Sequence, residues 1–234
     1  MVAERSYVLA IDTSGSFCSV VLRHGSNPLV TKTSEGEGDH FEQLPILIAD
    51  IFDEVPGASN QLEEVRIGLG PGSFTGLRIG LGFAKGLVSA KRIPLIGISS
   101  FFACALATKH QIESSKQPTP IGVVSDARRG EVFWATYDAS RDGSLTEVNA
   151  PAIVPVSTVE AWREKNTEGM ITTPLRGFCV TGVGDIIVQD HIGIGLIHAT
   201  ISDIPQASAE QWALIEPQYI RPVAAKTIEE RRRD

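Results

Sequence analysis

The sequence predicts an α/β protein, and two segments carry that prediction. Residues 7–11 (YVLAI) form a continuous apolar run, which is typical of a strand buried on both faces of a sheet. Residues 65–69 form a second apolar run, which is followed by a glycine-proline-glycine turn at 70–72 and a helical pattern over 75–91. Apolar strands that alternate with helical segments predict a sheet covered by helices.

The first half of the chain predicts five strands and two helices. The strands are expected at 7–11, 17–22, 29–33, 65–69 and 94–98. Asp39 and Glu42 have the spacing of a capping box, so we expect a helix over 40–53 in addition to the one over 75–91. The apolar stripe that should face the core from this helix consists of Phe41, Leu44, Ile48, Ile51 and Phe52.

The second half has weaker signals. The expected elements are a helix over 99–108, strands at 121–125, 132–137 and 177–181, and a helix over 157–165. Residues 192–201 are apolar and interrupted by glycines, and their pattern does not distinguish a helix from a strand. We expect a first lobe over 1–105 and a second lobe over 106–234.

Composition indicates an ordinary folded protein. The chain has 234 residues, 42% of them hydrophobic, and a net charge of −7, which disfavours direct binding to nucleic acid or an anionic membrane. Three widely spaced cysteines indicate a reduced compartment without a disulfide framework. The N-terminus lacks a signal-peptide pattern, and no apolar run reaches the roughly 20 residues that a membrane span needs. We therefore expect a cytoplasmic protein.

Two acidic turns are candidate phosphate sites. Asp12, Thr13 and Ser14 follow the first strand, and Asp126 follows a later one. Backbone N–H groups in such turns can bind phosphate, but a plain Asx turn explains the same residues. The glycine turn at 70–72 fits neither the P-loop nor the dinucleotide-binding pattern.

Metal and nucleophile chemistry have little support in the sequence. The five histidines are scattered, none forms a His-x-x-x-His pair, and each is interpreted as a surface residue. Cys104 lies in an apolar helical segment and is interpreted as a core residue. We expect no metal site and no catalytic residue.

Several motifs resemble the TsaB (YeaZ) family. They are LAIDTS at 9–14, GPGSFTGLRIGL at 70–81, AKGL at 84–87, PLIGISS at 94–100, DARRGEV at 126–132 and EPQYIRP at 216–222. The resemblance implies the two-lobed fold of actin-like, sugar-kinase-like and Hsp70-type ATPases, here with a reduced second lobe. It also implies a non-catalytic scaffold that assists TsaD in placing a threonylcarbamoyl group on adenosine 37 of tRNAs reading codons that begin with A.

The resemblance further implies which proteins the chain binds, and that it lacks the metal-binding histidines of TsaD. Ser100 and Cys104 align with the two metal-binding histidines of TsaD, so this chain resembles the non-catalytic paralogue. The implied partners are TsaD in a heterodimer, TsaE, and a second copy when the chain is alone. The chain would meet tRNA only through the complex. No tightly bound cofactor is implied, although ATP or ADP could bind at the complex interface. The alternatives are an independent ATPase or small-molecule kinase of the same fold, and a metalloprotease.

The helix at 75–91 has so little polar surface that a second layer or a partner must cover it. We expect helices 40–53 and 75–91 to pair with the equivalent helices of TsaD. The close-approach residues are expected to be Gly76, Gly80 and Ala84, flanked by Leu77, Leu81 and Val88. The alternative is that this face packs against the chain's own sheet.

Overall fold

The computed structural model describes residues 7–25, 27–34, 39–111, 119–140, 144–174, 187–188, 192–199 and 213–220. The strands within these residues are β1 (Tyr7–Asp12), β2 (Ser19–His24), β3 (Asn27–Thr33), β4 (Leu62–Gly68), β5 (Leu95–Ile98), β6 (Thr119–Asp126), β7 (Glu131–Ala139), β8 (Leu145–Pro155), β9 (Met170–Thr173) and β10 (Ile187–Val188). The helices are α1 (His40–Glu54), α2 (Phe74–Lys91), α3 (Ser100–Gln111), α4 (Val156–Lys165) and α5 (Ile192–His198).

The first sheet has the strand order β3-β2-β1-β4-β5, with β1 at its centre. β1 pairs antiparallel with β2 and parallel with β4, and β4 pairs parallel with β5. All six residues of β1 are buried, as the continuous apolar run predicts. The strand at 7–11 and both helices of this half are confirmed, whereas the second strand begins at Ser19, two residues later than expected.

The second sheet has the order β10-β9-β6-β7-β8. β6, β7 and β8 form an antiparallel meander, and β9 pairs parallel with β6. The sequence did not predict β8 or β9. β8 has a mostly exposed surface and β9 has only four residues, so neither gives a clear hydrophobic pattern. The two-lobed α/β fold is confirmed, with one five-stranded sheet in each lobe.

Helices cover both faces of the first sheet. α1 and α2 pack on one face, where Leu9, Ile11, Leu44, Ile51 and Leu81 share one core. α3 and α5 pack on the other face through a second core. α3 also contacts the second sheet through a cluster that includes Phe101, Cys104, Ile121 and Tyr137. α3 therefore lies between the two sheets and joins the lobes.

Arg66 on β4 holds the end of α5. Its side chain is only 4% exposed, and its Nη1 donates to the carbonyl oxygens of Leu196, Ile197 and Ala199 at 2.8, 3.0 and 2.6 Å. Its Nε donates to a Glu64 carboxylate oxygen at 2.6 Å. One buried guanidinium thus satisfies carbonyl groups that the helix end leaves free.

Residues 213–220, here called the C-terminal strap, cross the first lobe beside α2. The Gln218 N–H donates to Leu69 O at 2.7 Å, and Lys85 Nζ donates to Ala213 O at 3.0 Å. Arg78 Nε donates to Tyr219 Oη at 3.0 Å, while the Arg78 guanidinium lies 3.9 Å from the centre of the Phe74 ring. Arg78 and Lys85 of α2 therefore bind a segment of the same chain.

Some expectations about these elements were wrong or lie outside the described residues. Asp39 precedes α1, but its side chain makes no capping hydrogen bond, and Phe41 is 75% exposed rather than in the core. Residues 192–198 of the unassigned stretch form α5. The expected strand at 177–181 lies outside the described residues. The lobe boundary near 105 and the reduction of the second lobe stay predictions.

Candidate functional site

The turn after β1 meets the glycine turn after β4 because parallel neighbouring strands end at the same edge of a sheet. The Ser73 N–H donates to Ser14 O at 2.8 Å, and the Ser100 N–H donates to Gly70 O at 2.9 Å. Ser73 also caps α2, since its side chain accepts from the Gly76 N–H at 3.1 Å. Three separate segments thus meet here, namely the Asp12 turn, the glycine turn and the start of α3.

Asp12 occupies the centre of this arrangement and is 1% exposed. Its Oδ1 accepts from the Ser14 N–H at 2.9 Å and from the Ser14 hydroxyl at 2.7 Å. Its Oδ2 accepts from the Ser100 hydroxyl at 2.6 Å, and Ser100 Oγ in turn accepts from the Gly70 N–H at 3.0 Å. Both carboxylate oxygens are therefore engaged by groups of the chain itself.

Burial raises the pKa of Asp12 above its ordinary value. The hydrogen bonds from Ser100 and Ser14, and the nearby His40, act in the opposite direction and lower it. Burial has the larger effect because no solvent reaches the carboxylate. Ionised Asp12 is thus less stable inside this protein than in water.

The Asp12 turn is closed by hydrogen bonds within the chain. Ser14 and Ser100 supply three hydrogen bonds to the two carboxylate oxygens, which together offer about four acceptor positions. The Asx-turn interpretation of Asp12, Thr13 and Ser14 matches the observed bonds. The candidate phosphate role of these three residues stays a prediction.

Glycines let this turn approach α2. The Thr13 hydroxyl donates to Gly76 O at 2.8 Å, and Thr13 is fully buried. A Cβ at Gly76 would overlap Thr13 O, and a Cβ at Gly80 would overlap Thr13 Oγ1. A Cβ at Gly68 would overlap the Asp12 carboxylate. These close contacts require glycine at all three positions.

The six residues expected at the partner interface lie instead inside the first lobe. All of them are buried within this single chain, and they are Gly76, Leu77, Gly80, Leu81, Ala84 and Val88. The close approach of Gly76 and Gly80 is real, but the group that approaches is the Thr13 turn. The expectation was wrong because both faces of α2 are rich in glycine and small residues, and sequence spacing does not say which face is inward.

The opposite face of α2 is open. A Cβ built at Gly82 or Gly86 would meet no atom within 4 Å. On the adjacent helix α1, Phe41 is 75% and Ile46 52% exposed. α1 and α2 pack on the same face of the first sheet. We call Phe41, Ile46, Gly82 and Gly86 the outer helix face.

His40 was expected at the surface but is only 4% exposed. Its Nε2 lies 3.1 Å from Gly15 O, to which it donates in the Nε2–H tautomer. Its Nδ1 has no hydrogen-bond partner among the described residues. The His40 ring, at the first residue of α1, thus supports the turn that follows β1. The sequence alone does not show that His40 is buried there.

The Asp126 turn is separate and more exposed. Asp126 Oδ1 accepts from the Arg128 N–H at 2.7 Å. This is the hydrogen bond of an Asx turn, the alternative to a phosphate site. Arg128 and Arg129 both have positive φ angles, 67° and 61°, an uncommon conformation for non-glycine residues. Asp126 pairs with Arg128 of its own hairpin, and its candidate phosphate role stays a prediction.

Ser100 and Cys104 occupy consecutive turns of α3. Ser100 is bound to Asp12, and Cys104 Sγ lies 3.6 Å from Thr172 Oγ1 in the core. Burial raises the pKa of the Cys104 thiol to about 12. Among the described residues, no group of three His, Cys, Asp or Glu side chains is arranged to hold a metal ion.

A family model described as TsaD, tRNA N6-adenosine threonylcarbamoyltransferase, matches residues 34–204, which is well over half of the chain. The chain belongs to this family, in its TsaB (YeaZ) branch. The branch follows from relatives named tRNA threonylcarbamoyladenosine biosynthesis protein TsaB. The Escherichia coli K12 protein is 32% identical over 58% of this chain and 57% of its own length. The Haemophilus influenzae protein is 34% identical over 55% of this chain and 52% of its own length.

This TsaB-branch chain spans little more than half the length of those curated relatives. Among solved structures, YeaZ from Pseudomonas aeruginosa aligns with a TM-score of 0.57 and 29% identity, covering 65% of this chain and 68% of YeaZ. A second structure is described as an uncharacterized protein with similarity to peptidase YEAZ from Pseudomonas aeruginosa. It covers 92% of this chain and 100% of its own, with a TM-score of 0.69 and 23% identity, which shows the shared fold.

No described helix is long and apolar enough to cross a membrane.

Proposed function

We propose that this chain is a non-catalytic accessory subunit for threonylcarbamoylation of adenosine 37 in tRNAs reading codons that begin with A. The names of its curated relatives place them in tRNA threonylcarbamoyladenosine biosynthesis. The observation that carries the non-catalytic role is the hydrogen bond from Ser100 to Asp12. The resemblance implies that Ser100 stands where TsaD has its first metal-binding histidine, and here its hydroxyl donates to Asp12 of the chain's own turn.

The proposed partner is TsaD, and the proposed contact is the outer helix face. Exposed Phe41 and Ile46 supply apolar area, and the open Gly82 and Gly86 allow a partner helix to approach the α2 backbone closely. This replaces the inward-facing residues expected from sequence. In the absence of TsaD, the same face would form a two-fold homodimer, since a self-complementary patch is the simplest symmetric solution.

The remaining roles follow from the TsaB resemblance. TsaE joins the TsaD complex, tRNA contacts this chain only indirectly, and the complex works in the cytoplasm. The resemblance also implies that no cofactor binds tightly to the chain alone, and in the structure Ser14 and Ser100 already donate to the Asp12 carboxylate. ATP or ADP would bind at the complex interface.

Reconstitution tests this proposal. TsaD and TsaE are combined with TsaC, the enzyme that the resemblance implies as the supplier of the carbamoyl-adenylate, and with ATP, threonine, bicarbonate and unmodified tRNA. The reaction is run with and without this chain, and threonylcarbamoyladenosine is measured by mass spectrometry of digested tRNA. We expect product only when the chain and TsaD are both present. Product formed by the chain without TsaD, or equal product in its absence, would contradict the accessory role.

ATP turnover by the purified chain distinguishes the alternative of an independent ATPase or kinase. We expect no turnover above background, and an Asp12→Ala variant should behave in the same way. Turnover that is lost in Asp12→Ala would instead assign phosphate chemistry to the first turn.

A further inference from the structure

α5 is a short helix that covers part of one face of the first sheet. Its Leu196 and Ile197 are buried in the second core, together with residues of β1, β2 and α3. A Cβ at Gly195 would overlap Ala103 O, so α5 lies directly against the backbone of α3. A helix of seven residues is not stable by itself in water, and α5 therefore depends on its contacts with α3 and the sheet.

The C-terminal ends of α3 and α5 meet through two histidine rings. His110 lies in the last turn of α3, and His198 is the last residue of α5. The ring centres are 4.2 Å apart, and the ring planes are inclined by 38°. Neutral imidazole rings can pack at this distance, whereas two protonated rings would repel each other. His110 is exposed and His198 is half-buried, so protons from the solvent can reach the pair.

The charged groups around this pair are mostly positive. Arg23 and Glu64 flank Val8 across β2, β1 and β4, on the sheet face that packs against α5, and Arg66 follows two residues after Glu64. Glu64 is already paired, since Arg66 Nε donates to it at 2.6 Å. Arg23 Nε is buried and has no hydrogen-bond partner among the described residues. Lys109 of α3 adds a further positive charge beside the pair.

The other strands under α5 bring no opposing carboxylate to this end among the described residues. Asp12 lies at the far end of β1, where Ser100 donates to it at 2.6 Å. On β3, Lys32 pairs with Glu54 of α1 at 2.6 Å, on the opposite face of the sheet. A proton bound by either histidine therefore adds to a positive charge that no nearby free carboxylate offsets.

The docked helix favours neutral histidines. Burial lowers the pKa of His198, and the nearby His110, Arg23 and Arg66 lower it further. Burial also lowers the pKa of His110, and Lys109 lowers it further. Released rings would regain an ordinary pKa of about 6.5 and bind protons more readily. The stability of the docked state is thus complete above about pH 6.5 and is lost as pH falls below this value.

We propose that the contact between His110 and His198 is a pH-sensitive switch that controls the docking of α5. Neutral rings pack and hold α5 on α3 and the first sheet. Protonation of either ring adds a positive charge beside Arg23 and Arg66, which releases α5 and exposes the second core. The proposal does not depend on a partnership with TsaD, because it uses neither α1 nor the outer helix face.

Amide hydrogen exchange measured by NMR on the whole chain tests the switch. The Ala199 N–H donates to Gly195 O at 3.1 Å and reports the release of α5, whereas Leu9 on the central strand β1 reports global unfolding. Protection factors are corrected for the intrinsic exchange rate at each pH. Between pH 7.5 and pH 5.5, we expect the protection of Ala199 to fall at least about fivefold more than that of Leu9. Equal changes at the two amides would overturn the proposal.

Histidine variants locate the effect. The double variant His110→Gln, His198→Gln should lose the pH dependence at Ala199. His24→Gln is the matched control, because His24 stacks on Tyr7 of the opposite core with ring centres 4.9 Å apart, and this variant should keep the dependence. A fall that persists in the double variant, or one that disappears in His24→Gln, would contradict the assignment to this pair.

Two further comparisons test whether charge is the cause. His198→Lys carries a permanent charge and His198→Gln carries none, so at pH 7.5 the Lys variant should protect Ala199 less, while Leu9 shows that both variants are folded. Equal protection in the two variants would exclude charge repulsion. In Arg23→Gln, the His198 ring should titrate at a higher pH than in the natural chain, as followed by its carbon-bound proton signals. An unchanged titration would contradict the role of Arg23 in the switch.

Discussion

The Thr13 side chain occupies the space that a Cβ at Gly80 would need. Thr13 follows the central strand of the first sheet, and Gly80 lies in the middle of α2. The Thr13 hydroxyl also donates to Gly76 O one turn earlier, at 2.8 Å. This contact fixes the distance between the Asp12 turn and α2, and it determines which face of α2 is left for a partner.

Gly80→Leu and Gly82→Leu should therefore differ in stability. Leu at 80 must displace the buried Thr13 turn, which should cost about 3 kcal/mol or more. That corresponds to a fall of roughly 6–12 °C in melting temperature for a chain of this size. Leu at 82 meets open space and gains up to about 1 kcal/mol of helix propensity. Thermal unfolding of the two variants checks this difference, and equal destabilisation would contradict the assigned orientation of α2.

The glycine pattern shows how far sequence reasoning reaches at this site. Four glycines in one helix predict close contact on more than one side, but the structure shows it only at Gly76 and Gly80, while Gly82 and Gly86 have nothing within 4 Å. Which contact is internal depends on where β1 ends and on how its turn folds over α2, and these are tertiary facts. Phe41 illustrates the same limit, because an aromatic residue at a core spacing lies at the exposed end of the α1 stripe.

Asp12→Asn should stabilise the protein, and the gain should depend on pH. The folded-state pKa of Asp12 is raised by burial, so its contribution to stability is complete below the unfolded pKa of about 3.9 and is lost as pH rises through the folded pKa. Asn keeps an oxygen for Ser14 and presents its amide to Ser100 Oγ, without an ionisation cost. The stability of Asp12→Asn relative to the natural chain should increase with pH and then level off.

Urea unfolding at a series of pH values from 4 to 8 measures this difference. Asp12→Ala is the control, because it leaves the Ser14 and Ser100 donors without their acceptor and should lose about 1–3 kcal/mol per unpaired group. An advantage of Asp12→Asn that shrinks as pH rises would mean that hydrogen bonding outweighs burial at this carboxylate.

Arg66→Met should destabilise the chain strongly. The substitution keeps an unbranched apolar stem but removes the guanidinium, so three carbonyl oxygens around the end of α5 and the Glu64 carboxylate lose their donor. Removal of one partner of such a buried charge network should cost roughly 3–5 kcal/mol. Glu64→Gln, at the more exposed end of the pair, should cost less than about 1 kcal/mol. Chemical denaturation measures the loss in free energy of unfolding for each variant. Similar losses in Arg66→Met and Glu64→Gln would mean that the Arg66–Glu64 ion pair, and not the bonds to the α5 carbonyl groups, supplies the stabilisation.

The Cys104 thiol should be unreactive in the folded protein. Burial raises its pKa to about 12, so very little thiolate exists at neutral pH. Treatment of the native protein with iodoacetamide, followed by peptide mapping, should leave Cys104 unmodified, whereas the urea-unfolded protein should be modified fully. Rapid modification in the native state would show that the α3 core opens.

The sequence placed Ser100 and Cys104 on one helix, which agrees with the structure. It did not reveal that Ser100 binds Asp12, because those residues are 88 positions apart and meet only through the parallel pairing of β1 and β4. Buried His40 and the strap over α2 were missed for the same reason, since long-range contacts leave no local periodicity.

The affinity of TsaD for three versions of this chain tests the central claim most directly. Purified TsaD is titrated by isothermal calorimetry into the natural chain, the Gly82→Leu variant and the Gly80→Leu variant. Each titration is run below the melting temperature of the variant. Leu at 82 blocks a close helix approach, so we expect binding to weaken at least about tenfold while the chain stays folded. Gly80→Leu should keep near-natural affinity per folded molecule. Natural affinity in Gly82→Leu together with a selective loss in Gly80→Leu would contradict the outer helix face as the TsaD contact.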